Sequence, residues 1–514
     1  MQEKILWIDD EIDMLKPHII FLQNKGYELV SCNNASDGIE KVKAEFFDAV
    51  LLDENMPGIG GLEALQLIKK EQPNLPVIMI TKNEEEHIME EAIGQQIADY
   101  ILKPVNPNQV LLSLKKVLKS DKLIEEKTVN SYQQEFRQIS MDLMNVSTYD
   151  EWIVLYQKLI NWSLRLDKIE DEGLLNILET QKEEANKLFA KFIEKNYQNW
   201  LASNDKPLLS HIVFKEKIKP MLEKKEKIFL LMIDNLRYDQ WKVIEPLFAK
   251  YYKKSIENQY YSILPTATQY ARNSFFAGLL PLEIEKKYPS FWLNDVDDGN
   301  KNQFEQELLA EQLKRFGLSQ LKTKYFKILN SDFERKIYED FNQYKNADFV
   351  TIVYNFIDIL SHAKTDNTIV NELIRDEKTY RSLTYNWIEN SFILKIAKLA
   401  AENNYKLIIT TDHGTVFVRK PSKVIADRET STNLRYKLGK NLDYESKDVF
   451  MVSEPEKFFL PKVNVSSKYI FAKEDVFFAY PKNYNQYVNY YKNTLQHGGI
   501  SLEEIICPFV IMEN

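Results

Sequence analysis

Short apolar runs that stop at an acid, a hydroxyl or a lysine recur along this chain, and no other feature constrains its fold as tightly. Ile5-Leu6-Trp7-Ile8 stops at Asp9-Asp10, Ala49-Val50-Leu51-Leu52 at Asp53, Val77-Ile78-Met79-Ile80 at Thr81, and Tyr100-Ile101-Leu102 at Lys103-Pro104. Continuous apolar runs of this length, separated by helical stretches, predict parallel strands covered on both faces. In such a sheet ligands gather beyond the carboxyl ends of the strands, where each of these polar residues falls. Three acids there would hold Mg²⁺, a hydroxyl could bind an incoming phosphoryl group, and a lysine could pair with it. A single strand ending this way would only be meeting water. Four in order, with Met56-Pro57-Gly58 just after Asp53, point to a site.

This stretch resembles the receiver domain of bacterial response regulators over about residues 1–120. The resemblance implies a doubly wound, five-stranded α/β domain. By position it implies Asp53 as the phosphoacceptor and a Mg²⁺ site from Asp9, Asp10 and Asp53 with the backbone of Asn55. It makes Thr81 and Tyr100 the switch pair, sets Lys103 on the phosphoryl group, and implies a sensor histidine kinase as partner. Receivers of this kind commonly dimerise when phosphorylated. The face involved would lie near Val105 to Leu118 here, so a homodimer on phosphorylation is expected.

Residues 121–205 are predicted to be a helical bundle. No proline occurs between Pro107 and Pro207, and Gly173 is the only glycine there; helix interiors exclude both. Thr148-Tyr149-Asp150-Glu151 has the form of a capping box. Trp152, Tyr156, Leu159 and Ile160 follow at helical spacing, as a packing face would. The interval carries no DNA-reading motif.

Three further apolar runs end in potential metal ligands. Ile228–Ile233 ends at Asp234, Phe349–Tyr354 leads to Asp358 and His362, and Lys406–Thr410 gives way to Asp412-His413. His497 precedes Gly498-Gly499, so three of the six histidines fall where an α/β sheet would assemble a site. Asp358 and His362 are four apart, on one face of a helical turn. Carboxylates mixed with imidazoles suit Zn²⁺ or Mn²⁺ better than Mg²⁺. In ILPTATQYARNSFFAGLLP, residues 263–281, Thr266 and Thr268 precede a predicted helix. A hydroxyl there is a usual cap. It also suits a nucleophile, because a helix N-terminus favours an anionic phosphate.

The region from about 225 to 514 resembles the alkaline phosphatase superfamily and, within it, the PglZ domain. The resemblance implies an α/β/α fold for residues 206–514 and a two-zinc site. Asp234, Thr268, Asp412 and His413 would hold one ion, and Asp358, His362 and His497 the other. Pro-Thr-x-Thr followed by Ala-Gly-Leu-Leu-Pro is similar to the nucleotide phosphodiesterase branch, which makes Thr268 the catalytic nucleophile. That branch's helper Asn is out of register, leaving Arg272, Asn273 and Arg237 as candidates for the phosphate contact. Receiver, helical middle and PglZ domain in this order resemble the PorX-type response regulators, a family associated with control of type IX secretion.

Together the resemblances imply a two-component regulator whose phosphorylation at Asp53 controls a zinc-dependent phosphodiesterase (a hydrolase). Its substrate class would be nucleotides or oligonucleotides. The alternative is a metal-stabilised PglZ scaffold that binds a regulatory protein partner, with catalysis irrelevant to output; a third reading is a phosphomonoesterase or mutase. The Tyr-rich segment Tyr480 to Tyr491, with Lys482 and Lys492, could stack bases or simply pack. Composition bounds these readings. A net charge of −9 argues against a duplex-DNA binder. Cys32 and Cys507 give no disulfide framework. No signal peptide and no run of membrane-spanning length is expected, which fits a cytoplasmic protein.

Overall fold

The structure, a computed structural model, describes residues 3–73, 75–82, 97–169, 171–295, 297–426 and 431–513; the side chains of residues 119–130, 172, 254 and 255 lie outside the description. The chain divides into two compact units, Met1–Gln134 and Glu135–Asn514.

In the first unit the apolar runs are strands. β1 (Lys4–Ile8), β2 (Glu28–Cys32), β3 (Ala49–Asp53), β4 (Val77–Thr81) and β5 (Asp99–Leu102) form one sheet in the order β2-β1-β3-β4-β5. Every pairing is parallel. Alternate residues of the strands feed two cores, one on each face. β3 and β4 are buried along their whole length, as a doubly wound sheet requires. The helix Pro107–Asn145 then begins.

The second unit opens with the end of that helix and continues with Tyr149–Leu166 and Glu172–Ala202. The capping box is present: Thr148 accepts from the Glu151 amide, and Glu151 reaches back to the Thr148 amide. Trp152, Tyr156, Leu159 and Ile160 are buried. Their partners differ from those of a free-standing bundle. Trp152 packs on Phe189, but Tyr156 meets Tyr238 and Phe189 meets Tyr261. The helical middle from Glu135 onward therefore shares its core with the C-terminal fold.

That fold is built on a six-stranded mixed sheet. β6 (Ile228–Ile233), β8 (Thr323–Ile328), β9 (Phe349–Tyr354) and β10 (Lys406–Thr410) run parallel. The last strand, Ile506–Glu513, is antiparallel to β10 and to β7 (Lys253–Tyr261). The central strands β6 and β9 are buried at every residue. Between β10 and the last strand the described residues build three small sheets, a subdomain that hydrophobic periodicity did not announce. No described helix is long and apolar enough to cross a membrane. Cys32 and Cys507 are buried free thiols.

Candidate functional site

The carboxyl end of the first sheet gathers Asp9, Asp10 and Asp53, one ligand atom of each lying within 4.8 Å of the others. Asp9 and Asp53 are buried, while Asp10 is exposed. Lys103 reaches Asp53 at 2.9 Å and Asp9 at 3.3 Å. Burial pushes the Asp53 carboxyl up, Lys103 pulls it back, and Asp9 adds to the upward push. Asp53 Oδ2 is buried and accepts no hydrogen bond, as expected of an acid that fits a hard cation, while Asp9 Oδ2 faces the Lys103 ammonium. Thr81 donates to the Glu54 carboxylate, and Tyr100 is 44% exposed on its strand. Asn55 follows Asp53 at the exposed rim.

The second sheet gathers two clusters on the same principle. Asp234, Asp412 and His413 form one; Asp358, His362 and His497 form the other; within each the ligand atoms lie within 4.8 Å of one another. The first cluster is buried throughout. Asp358 and His362 sit on the helix Phe356–Asp366, and His362 is exposed at the mouth. The His413 and His497 rings stack at 4.2 Å between centroids, so the clusters share an edge.

Backbone carbonyls set the imidazole tautomers. His413 Nδ1 lies 3.1 Å from the Gly414 carbonyl, and His497 Nδ1 lies 3.1 Å from the Thr266 carbonyl. A carbonyl only accepts, so each Nδ1 carries the proton and each Nε2 offers a lone pair to the site. Burial, the largest cause, keeps both rings neutral by lowering their proton affinity. The acids move the other way. Burial pushes Asp234 up to about 6, with Arg272 opposing and Asp412 adding. Asp412 and Asp358 are likewise raised, chiefly by burial. Asp234 Oδ1 and Asp412 Oδ2 are buried and accept no hydrogen bond. Crowded acids with unclaimed lone pairs beside neutral imidazoles fit one or two divalent cations of zinc type.

Thr268 opens the helix Thr268–Ala277, and its Oγ1 lies 3.1 Å from His413 Nε2. It caps nothing. Thr266 is fully buried and donates to the Gly499 carbonyl, so the two hydroxyls divide into a structural one and an accessible one.

The three candidates for a phosphate contact fare differently. Arg272, one turn beyond Thr268, reaches Asp234 at 2.6 Å and Glu305 at 2.7 Å, at the edge of the first cluster. The Asn273 amide donates to the Lys301 carbonyl and accepts from Asn302. Arg237 precedes the helix Tyr238–Ala249. It is fully buried and held by Asp239 and Glu377, because burying a guanidinium demands such partners. The Tyr480–Tyr491 segment forms the helix Tyr484–Tyr491, in which Tyr487 stacks on Tyr491 and Tyr490 donates to Asp366.

Two residues escaped the sequence reading. Asn235, at φ 65°, donates to Asp358 and, through its backbone, to Asp412, tying the clusters together. An Asn tolerates that left-handed conformation, so Asp-Asn at a strand end was the available signal. Asn302 holds the Thr268 carbonyl at 2.9 Å from a loop that no motif marks.

Comparison with known proteins accords with both sheets. Residues 5–115 match the response regulator receiver domain, and residues 122–201 match the PorX response regulator linker domain. Residues 213–512, more than half of the chain, match the BREX system PglZ alkaline phosphatase-like domain. The chain belongs to the PglZ alkaline-phosphatase-like family. The three matches, in this order, are the PorX-type architecture: a two-component regulator with an output domain of the alkaline phosphatase superfamily.

Curated relatives match around the receiver. The transcriptional regulatory protein ZraR of Klebsiella oxytoca is 32% identical over 124 residues, 24% of this chain and 28% of that protein. ResD of Bacillus subtilis is 31% identical over 118 residues, 23% of this chain and 49% of that protein. The chain thus spans about half or less of these relatives. Among solved structures, a CheY-like receiver from Methanospirillum hungatei is 30% identical, covering 23% of this chain and 96% of that one, with TM-score 0.23. CheY4 of Vibrio cholerae is 26% identical, covering 23% of this chain and all of the other, with TM-score 0.22.

Proposed function

We propose that this chain is a phosphorylation-controlled phosphodiesterase of the two-zinc type, acting on nucleotide or oligonucleotide diesters. The observation that carries the proposal is the Thr268 hydroxyl, 3.1 Å from His413 Nε2 in one of two adjoining acid–imidazole clusters. Asp234, Asp412 and His413 with Thr268 would hold one ion, and Asp358, His362 and His497 the other. Bound there, the ions would supply positive charge to the attacking and leaving oxygens of an in-line displacement. Thr268 attacks phosphorus as its alkoxide, one ester oxygen leaves and takes a proton from water, and water then cleaves the Thr268 Oγ1–P bond of the remaining threonyl diester, returning the hydroxyl and releasing the monoester. The amides at the start of Thr268–Ala277 favour the phosphate there. Of the three candidates Arg272 alone pairs with a ligand of the first cluster; it is buried and held by Asp234 and Glu305, so a phosphate contact would take it from Asp234.

In the receiver, Asp9, Asp10 and Asp53 would bind Mg²⁺ with the backbone of Asn55, and Asp53 would take the phosphoryl group. Lys103 would pair with that group, and Thr81 and Tyr100 would respond to it. Phosphorylation would favour a homodimer through the face near Val105 to Leu118. Three regions follow for this reading: receiver 1–120, helical middle 121–205 and PglZ domain 206–514. By the PorX-type resemblance, the output would be control of type IX secretion from the cytoplasm.

The test is hydrolysis by the purified protein of nitrophenyl monoester and diester, then of linear and cyclic nucleotides. Diester turnover that disappears in Thr268→Val supports the proposal. Faster monoester turnover would favour a phosphomonoesterase. Full output in cells from a hydrolysis-dead T268V protein would favour the scaffold that binds a regulatory protein partner.

A further inference from the structure

The helical middle reaches the candidate centre through bonds that a spacer would not need. Asn186, on the helix Glu172–Ala202, is 9% exposed and spends its amide on the turn that begins at Ser501. Its Nδ2 donates to Glu503 at 3.0 Å, and its Oδ1 accepts from the Leu502 amide at 2.7 Å. That turn stands behind two of the ligand histidines. On one side Gly414, which follows His413, donates to the Glu504 carbonyl at 3.1 Å. A methyl group on Gly414 would lie 2.0 Å from the Glu503 carbonyl oxygen, so the His413 loop backs directly onto the turn. On the other side the Glu504 carboxylate accepts from the Gly499 amide at 2.9 Å. The Gly499 carbonyl accepts from Thr266, whose own carbonyl takes the Nδ1 proton of His497.

One turn earlier on the same helix, Lys182 meets Glu377 at 2.6 Å, and Glu377 meets Arg237 at 3.1 Å. Arg237 ends the loop that Asp234 begins, and its side-chain stem lies 3.3 Å from where a Gly414 methyl group would sit. Lys182 and Arg237 are buried. Removing one member of such a network leaves uncompensated buried charge, and the loops it holds must shift.

We propose that Asn186 and Lys182 are positioning residues of the centre, holding His413, His497 and the loop after Asp234 in ligating geometry from within the helical middle. The inference rests on the two-metal reading and extends it: the middle segment is a wall of the site. A displacement of the helix Glu172–Ala202 therefore reaches the ligands without any change in a ligand.

The test is zinc affinity of the full-length protein, measured by competition with a chromophoric chelator, with the melting temperature of the metal-free protein beside it. The variants are Asn186→Leu, Lys182→Met, Lys182→Arg and, on the exposed face, Lys187→Ala. Loss of an outer partner of a metal ligand typically costs 10–100-fold in affinity, and these residues lie further out. We expect about tenfold weaker zinc binding in N186L and K182M, recovery in K182R, and wild-type affinity in K187A. Lower metal-free stability with unchanged zinc affinity would overturn the inference, because the residues would then serve folding alone. Wild-type protein that binds no zinc would overturn the two-metal reading and the inference with it. If N186L does not fold, K182M against K182R decides.

Discussion

Asp53 and Asp234 each stand at the end of a buried parallel strand beside further acids, yet one is balanced by a lysine and the other by a guanidinium, with neutral imidazoles beside it. In the receiver a single ammonium spans Asp53 and Asp9, and the third acid is exposed. Oxygen donors beside an exposed third acid suit a hard cation that keeps several waters. In the second unit Asp234, Asp412 and His413 are buried, and carbonyls fix two imidazoles with their lone pairs facing in. Nitrogen donors held this firmly suit a resident ion. On the proposed reading, the same strand-end position would make a reversible site in the receiver and a resident one in the second unit, according to the donors around it.

The comparison breaks most sharply at the nucleophile. Thr268→Val should lower diester turnover at least ~10³-fold, since residues that act as a unit with the reacting centre lose most of catalysis when one is removed. Modification of the receiver should be untouched. Stopped-flow or end-point diester assays beside acetyl phosphate labelling check both halves. Residual turnover within tenfold of wild type would remove Thr268 from that role.

Next in size is the receiver. Beryllofluoride with Mg²⁺ should occupy the Asp53 site and shift monomer toward dimer, read by sedimentation. Coupling of this kind is worth roughly 5–150-fold in affinity. Asp53→Ala should lose the shift and keep the metal content of the second unit. A shift that survives D53A would mean another acceptor; a constant mass with the receiver occupied would refute phosphorylation-driven dimerisation.

Smaller is the split within the centre. Asp358→Ala with His497→Ala should lose one metal and spare most of the other, because the first cluster is complete without them. Loss of both would mean that the shared His413–His497 edge couples the ions. Smallest is stability: zinc at ~100 Kd should stabilise the native state by about 2.7 kcal/mol if the unfolded chain binds none, and differential scanning calorimetry would show it as a raised Tm.

Much of this was legible in the sequence because burial and chemistry coincide at strand ends. Runs such as Ile228–Ile233 are apolar throughout since both faces of the sheet are covered, and an acid straight after them is conspicuous. The capping box at Thr148 was legible for a local reason, needing only four residues. What stayed hidden depends on long-range partners. Arg237 looked like a phosphate ligand until Asp239, Glu377 and full burial claimed it. Asn273 was claimed in the same way by a loop some thirty residues on. The middle helices read as a bundle of their own because their spacing gives a buried face without saying what covers it. Tyr261 and Tyr238 cover part of it, from strands and helices far along the chain.

Metal analysis of full-length protein purified without chelator tests the central claim most directly. The donors assembled at the second sheet predict about two zinc ions per chain, retained through gel filtration, while receiver Mg²⁺ is lost on dilution. No transition metal in such a preparation would contradict a resident two-metal centre.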